Sequence, residues 1–390
     1  MQGSRIHPEE QAFRDEVRAC LQQPPRRFRT KSTTPLRLTR DDLQAKGQIP
    51  GQEGLAWPGW PQLAALAGQP CKSICSKKSA RWPVRRVVPF GPVMVAPVIM
   101  AYGTPEQQQR FLPGIASGRG VVEPGYSEPG SGSTWPRSRR AERVGNKYIV
   151  NGQKTSDHAG PVRRVDLLPG AHQQRGQAAD GHQLPADRHE VARVTVRPIR
   201  LDGECEVNEV FFDNVEVPAE NLIGGGTRAG PHAKHLLSDG APNIADVNRA
   251  SASSNALKRI TKAEGLWDDQ RFRDQIALLE VGCGCAGMLV LRACCPPKAA
   301  ARNSLDIAGL LKIKGSEIQQ RYAGADDAGR RPLALPFIEE AMEAGWQGDF
   351  PAAAWPSHPL VSTYFNMRKT TIYGGSNEVQ RNIVAQTVLG

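Results

Sequence analysis

The stretch "VTVRPIRLDGECEVNEVFFDNVEVPAENLIG" (194–224) alternates apolar and polar residues with period two. That pattern predicts two or three strands that close a small β domain. Just upstream, "AERVGNKYIVNGQKT" (141–155) reads as a hairpin with a Gly-Asn turn. Farther out on both sides the period changes to that of helices. "VPFGPVMVAPVIMAYGTPEQQQRFLPGIASG" (88–118) predicts an apolar helix, a turn, and a second helix opened by Thr104 with Pro105 in its first turn. Residues 8–22 carry apolar positions at helical spacing, as do "DQRFRDQIALLE" (269–280) and "NSLDIAGLLKIKGSEIQQRYA" (303–323). The C-terminal "STYFNMRKTTIYGGSNEVQRNIVAQTVLG" reads as helix, glycine turn, helix. Helices, then strands, then helices argue for separate α, β and α domains rather than an alternating α/β sheet.

A chain of 390 residues is long enough for two or three domains. Its net charge of +11 would suit a polyanion such as nucleic acid, coenzyme A or a membrane surface. No recognisable nucleic-acid motif or interleaving of aromatic and basic residues accompanies that charge, which argues against a nucleic-acid binder. No apolar run approaches the roughly 18 residues of a membrane helix. The N-terminus "MQGSRIHPEEQAFRDEVRAC" has no signal-peptide core, so a cytoplasmic protein is expected. Cysteines fall in close pairs (Cys71 and Cys75, Cys283 and Cys285, Cys294 and Cys295), but no CxxC occurs and no histidine stands at finger spacing. No metal site is expected.

Five segments break the pattern: roughly 63–85, 134–140, 156–193, 283–302 and 323–334. They hold six of the eight cysteines and much of the excess arginine. Stretches of such composition are not expected to bury enough apolar area to offset chain entropy, and loops this long inside a compact domain are uncommon.

The regular segments resemble the acyl-CoA dehydrogenase family, and the resemblance covers most of the chain outside those five. "GYSEPGSGS" (125–133) is similar to the family's flavin and substrate loop. "VNGQKT" is similar to the strand that leads to the flavin-covering Trp-x-Thr, "VFFDNVEVPAENLIG" to F-D-x-V-x-V-P-x-x-N-x-[LI]-G, and "TTIYGGSNEVQRNIVAQTVLG" to the C-terminal signature. The resemblance implies an α+β multidomain fold: a helical N-terminal domain (1–120), a small β-barrel (121–232) and a C-terminal four-helix bundle (233–390). It implies FAD as cofactor, an acyl-CoA substrate, electron-transfer flavoprotein or a similar acceptor, a homodimer or homotetramer, and a role in fatty acid metabolism.

By the same resemblance the reaction is α,β-dehydrogenation to the 2-enoyl-CoA. A carboxylate removes the α-proton while the β-hydrogen leaves as hydride to the flavin, with the thioester carbonyl polarised by hydrogen bonds. Tyr126, Ser127 and Gly132 match flavin-contacting positions, and Ser133 a position near the acyl-CoA. Ser376 and Glu378 match those that hold the adenosine-diphosphate part, at a helix start that offers free amides. The plain alternatives, a Gly/Ser turn at 128–133 and an ordinary N-cap at Ser376 or Asn377, stay open beside these. The base has no clear bearer. The two positions where family members carry a glutamate correspond to Gly374 and Gly240. Asp239 and Asp246 stand near the second and read as a solvated turn and a helix surface. Ser156 and His158 occupy the positions of Trp and Thr that cover the flavin. A non-catalytic subunit that binds CoA, FAD or a partner is therefore the rival reading.

A shift of reading frame reconciles the odd segments with the family. With codons chosen freely, Ser156–Gln174 read one base displaced spells Trp-Thr-Thr-Leu-Ala-Gln-Tyr-Ala-Gly-Trp-Ile-Phe-Cys-Leu-Val-Arg-Thr-Asn. That restores Trp-x-Thr and a buried strand. Ala65–Ser79 likewise yields an amphipathic helix, and Thr134–Arg139 yields Asp-Leu-Ala-Ser-Leu-Lys, with the Asp expected after Ser133. Paired frameshifts are the expectation, with the cysteine pairs and much of the charge as by-products.

Overall fold

In the computed structural model, the segment that opened the sequence reading becomes two long strands. The structure describes residues 12, 90–116, 122–125, 127–130, 132, 140–158, 165–171, 181–187, 193–201, 204–224, 247–263, 265–294, 304–328 and 364–389. The expected helix over 8–22 and the odd segment 63–85 lie outside these residues, apart from Ala12. The chain divides into two compact units: described elements up to Asn221 lie in the first, those from Val247 onward in the second.

The first unit opens with a π-helical turn (Phe90–Val95), then α1 (Ala96–Tyr102) and α2 (Pro105–Ala116). The predicted start of α2 is a capping box. The Thr104 amide donates to Gln107 Oε1 at 3.0 Å, and the Gln107 amide donates back to Thr104 Oγ1 at 3.3 Å. Gln107 reaches further, its Nε2 donating to the carbonyls of Glu220 at 2.8 Å and Leu222 at 2.9 Å. Ile223 completes the apolar core of these helices with Val95, Val98, Ile99, Leu112 and Ile115.

The strands are β1 (Val122–Pro124), β2 (Arg140–Val144), β3 (Lys147–His158), β4 (Val165–Ala171), β5 (Gly181–Asp187), β6 (Val194–Leu201) and β7 (Glu204–Pro218). They form one sheet in the order β1-β4-β2-β3-β7-β6, with β5 on β4. Gly145 and Asn146 turn β2 into β3 as expected. Of the two, Gly145 alone has positive φ (62°), the pattern of a type II′ hairpin. In β7, Asn214 takes φ 48° where the β3 register slips between Val150 and Gly152. Its amide donates to Asn151 Oδ1 at 2.7 Å and Asn151 Nδ2 to its Oδ1 at 3.0 Å. Asn is among the few L-residues at ease there, which accounts for the D-N-V of the motif.

One expectation is corrected in form. The sheet is not a closed barrel: closure needs the edge strands to exchange ladder bonds, and among the described residues β6 pairs with β7 alone. The odd segments are corrected in part. β4 and β5 run through 156–193, a helix over Gln270–Cys294 continues into 283–302, and one over Ser304–Ala328 continues into 323–334. Cys283, Ala286 and Ala323 are buried. Small residues can carry a helix face, and a thiol packs as a small hydrophobe.

The second unit holds α3 (Val247–Ala263), α4 (Gln270–Cys294), α5 (Ser304–Ala328), a 3₁₀ turn (Arg368–Thr371) and α6 (Asn377–Val388). Helix α5 is the hub of this four-helix bundle, packing on α3, α4 and α6. Leu257, Ile276, Leu279, Ile318 and Tyr322 form its core. Where α5 meets α6 the fit is tight: a Cβ on Gly309 would lie 2.7 Å from Val384 Cγ2.

Candidate functional site

Two patches carry the residues singled out in the sequence, one in each unit. The first is the loop 125–132 beside β3. Gly125 and Glu128 are buried, Gly130 turns with φ 74°, and Gly132 is exposed. The Ser127 carbonyl accepts from the Thr155 amide at 2.9 Å, so β3 holds the loop by its backbone. One residue away, Lys154 Nζ bonds Glu128 Oε1 at 2.7 Å with side-chain exposures of 0% and 1%. Strand β3 continues through Ser156 and His158, the positions of the expected flavin cover, with a further register slip between Lys154 and Asp157. Tyr126 and Ser133 lie outside the described residues.

The second patch is the turn into α6. Gly374 and Gly375 both take left-handed φ, 66° and 79°. Ser376 is the N-cap, its hydroxyl accepting from the Val379 amide at 3.4 Å, so the plain cap reading holds here. Glu378 is exposed. Its own backbone amide, then the Ser376 hydroxyl, with help from Arg381 and Lys312, hold its carboxyl below the usual range. Beneath the turn lies a cluster the sequence reading missed. Lys312 on α5, 1% exposed, donates to Asn377 Oδ1 at 2.8 Å and to the Thr371 carbonyl at 3.1 Å. Asn377 Nδ2 and Ser316 Oγ stand 3.2 Å apart. Burial pulls the Lys312 ammonium down to about 8, against the pull of Glu378 and with that of Arg381. A signal existed. Ala308, Lys312 and Ser316 stand at i, i+4 and i+8, one buried face of a helix. Likewise Lys154 keeps the inward phase of Tyr148 and Val150.

At Gly130 and Gly132 an added Cβ would meet nothing within 4 Å, so the space over the loop is open. At α6, carboxylate and hydroxyl acceptors stand above a buried cation. Gly374 has no side chain with which to take a proton; Gly240, Asp239 and Asp246 lie outside the described residues. Among the described residues no group of three His, Cys, Asp or Glu could hold a metal, and no helix is long and apolar enough to cross a membrane.

No protein-family profile matches the chain. Among curated proteins it is 28% identical over 309 residues to the acyl-CoA dehydrogenase IpdE1 of Mycobacterium tuberculosis, covering 77% of this chain and 74% of that one. It is 22% identical over 308 residues to the mitochondrial long-chain specific acyl-CoA dehydrogenase of Rattus norvegicus, covering 76% and 67%. In sequence and in fold the chain is similar to the acyl-CoA dehydrogenases. The family is one of FAD-dependent oxidoreductases. Solved folds agree. The steroid acyl-CoA dehydrogenase Tcur3481–Tcur3483 superposes with a TM-score of 0.77 at 20% identity, over 99% of this chain and 98% of that one. The ChsE4–ChsE5 complex of Mycobacterium tuberculosis gives 0.76 at 21%, over 100% and 99%. A glutaryl-CoA dehydrogenase of Mycobacterium smegmatis in complex with FADH2 gives 0.74 at 16%, over 98% and 95%.

Proposed function

We propose that this chain catalyses α,β-dehydrogenation of an acyl-CoA thioester to the 2-enoyl-CoA, with FAD as hydride acceptor. The observation that carries this reading is the double left-handed glycine turn at Gly374 and Gly375, capped by Ser376 and seated on Lys312. In this reading Ser376 and Glu378 hold the adenosine-diphosphate part of the cofactor. Tyr126, Ser127 and Gly132 contact its ring, and Ser133 lies beside the thioester. When bound, the flavin supplies the two-electron chemistry. The protein's part is to orient the thioester, exclude water from it and hold its carbonyl to hydrogen-bond donors.

The domain division that goes with this reading is 1–120, 121–232 and 233–390. The protein works in the cytoplasm as a homodimer or homotetramer and passes electrons to electron-transfer flavoprotein or a similar acceptor. The names of two structural neighbours pair two different chains, so a second, different subunit is the assembly to test against. Gly374 lacks a base, and this is the observation that keeps a binding subunit in view.

Anaerobic addition of acyl-CoA thioesters to the FAD-loaded protein, followed by flavin absorbance, tests the reading. Bleaching of the oxidised band with appearance of an enoyl-CoA is the expected result. Flavin and acyl-CoA binding without bleaching would replace it with the non-catalytic reading.

A further inference from the structure

We propose that the buried Lys154–Glu128 ion pair is a positioning element that sets the loop 125–130 on β3. The inference rests on the reading of that loop as the one that contacts the flavin. The two groups meet at 2.7 Å with 0% and 1% side-chain exposure. A buried pair of this kind gains little net stability over an apolar pair of similar volume, because desolvation offsets the attraction. What it supplies is geometry: a charge-assisted bond fixes distance and direction more tightly than apolar contact does.

Its place in the fold gives that geometry a use. Lys154 pairs across the ladder with the fully buried Val210, the last regular pair before the register slips toward Asp157. Slips of this kind change the course of the strand that follows, and here that is the backbone of 156–158. On the loop side, Glu128 follows Ser127, whose carbonyl takes the Thr155 amide at 2.9 Å. Two adjacent residues of β3 thus grip two adjacent residues of the loop, one by charge and one by backbone. Removing the charge grip takes away one of these two holds.

The test uses the full chain and the double variant Glu128→Gln/Lys154→Met, which buries no unpaired charge and so protects the fold. Three quantities are read: the thermal midpoint, amide exchange at Thr155, and FAD affinity by titration. Positioning predicts a midpoint close to that of the parent, with Thr155 exchange faster by about tenfold and FAD affinity lower by about tenfold. The absorbance fine structure of the flavin that still binds is expected to change as well. Unchanged exchange at Thr155 overturns the proposal. So does a loss of affinity that only follows a fall in the midpoint. Should the parent chain bind no FAD, the flavin reading of the loop fails. Exchange at Thr155 then decides the role of the pair by itself, faster exchange supporting it and unchanged exchange overturning it.

Discussion

The Lys312 ammonium donates to Oδ1 of Asn377 at 2.8 Å, joining the middle of α5 to the first residue of α6. A second bond to the Thr371 carbonyl ties the same cation to the 3₁₀ turn that precedes the glycines. The turn proposed to hold the cofactor is therefore anchored from below by one lysine. Lys312→Met removes both bonds, and takes a donor from the buried Asn377 Oδ1 and from the half-buried Thr371 carbonyl. It is expected to lower stability at neutral pH by about 1–3 kcal/mol, measured by urea denaturation.

The same lysine predicts a pH signature. Its folded value, about 8, lies below the ordinary 10.5. Below the folded value both states carry the proton and its contribution to stability is constant. As pH rises from about 8 toward 10.5, the folded state releases its proton while the unfolded state keeps it. The unfolded state then binds more protons, so stability rises with pH across that window. Denaturation midpoints for the parent minus those of Lys312→Met are expected to climb over this range. A flat difference would refute the assignment.

Gly375 has φ 79°, and an added Cβ would lie 2.7 Å from Gln380 Nε2, which donates to the Gly374 carbonyl at 2.9 Å. Gly375→Ala is expected to push Gln380 aside, break that bond and destabilise by about 1–3 kcal/mol. FAD affinity is expected to fall with it, read by flavin titration.

Gly374→Glu asks whether the absent carboxylate limits turnover. With φ 66° the substitution strains the backbone by about 1–2 kcal/mol. Faster bleaching of the bound flavin by acyl-CoA than in the parent is the expected outcome, by stopped-flow absorbance. No gain would place the base elsewhere in the chain or in a partner.

Reading of the gene across codons 60–200 is expected to show single-base insertions or deletions at the edges of the odd segments. The fold adds an argument. Strand β4 has neighbours on both edges, β5 on one side and β1 and β2 on the other, yet carries Pro169, which cannot donate to a ladder. The shifted frame spells Trp-Ile-Phe-Cys-Leu-Val-Arg over the same seven positions, a run of strong strand formers. A frame confirmed as printed would refute this, and weak or absent flavin binding would then be expected.

Elements with a strong local signal were legible in the chain. Period-two alternation marks β6 and β7, Gly145-Asn146 a hairpin, Thr104 to Gln107 a cap, and Gly374-Gly375 a turn, because each depends on residues a few positions apart. β4 and β5 were not legible, since the printed residues have little preference for strands and only pairing with neighbours holds them there. The reach of Gln107 to the Glu220 and Leu222 carbonyls spans more than a hundred residues and leaves no local mark. Gln107→Ala is accordingly expected to cost more, about 2 kcal/mol, than the roughly 1 kcal/mol of a lost cap at Thr104→Ala, compared by urea denaturation.

By itself the sequence determined the order of helical, β and helical parts, the family's motifs, and the glycine at the position of a base. These follow from residue identity and short spacing. The tertiary structure alone decided which charges are buried and what they hold. Lys154 meets Glu128 and Lys312 meets Asn377 only when strands and helices distant in the chain pack together, since a buried charge is tolerated only where the fold brings it a partner.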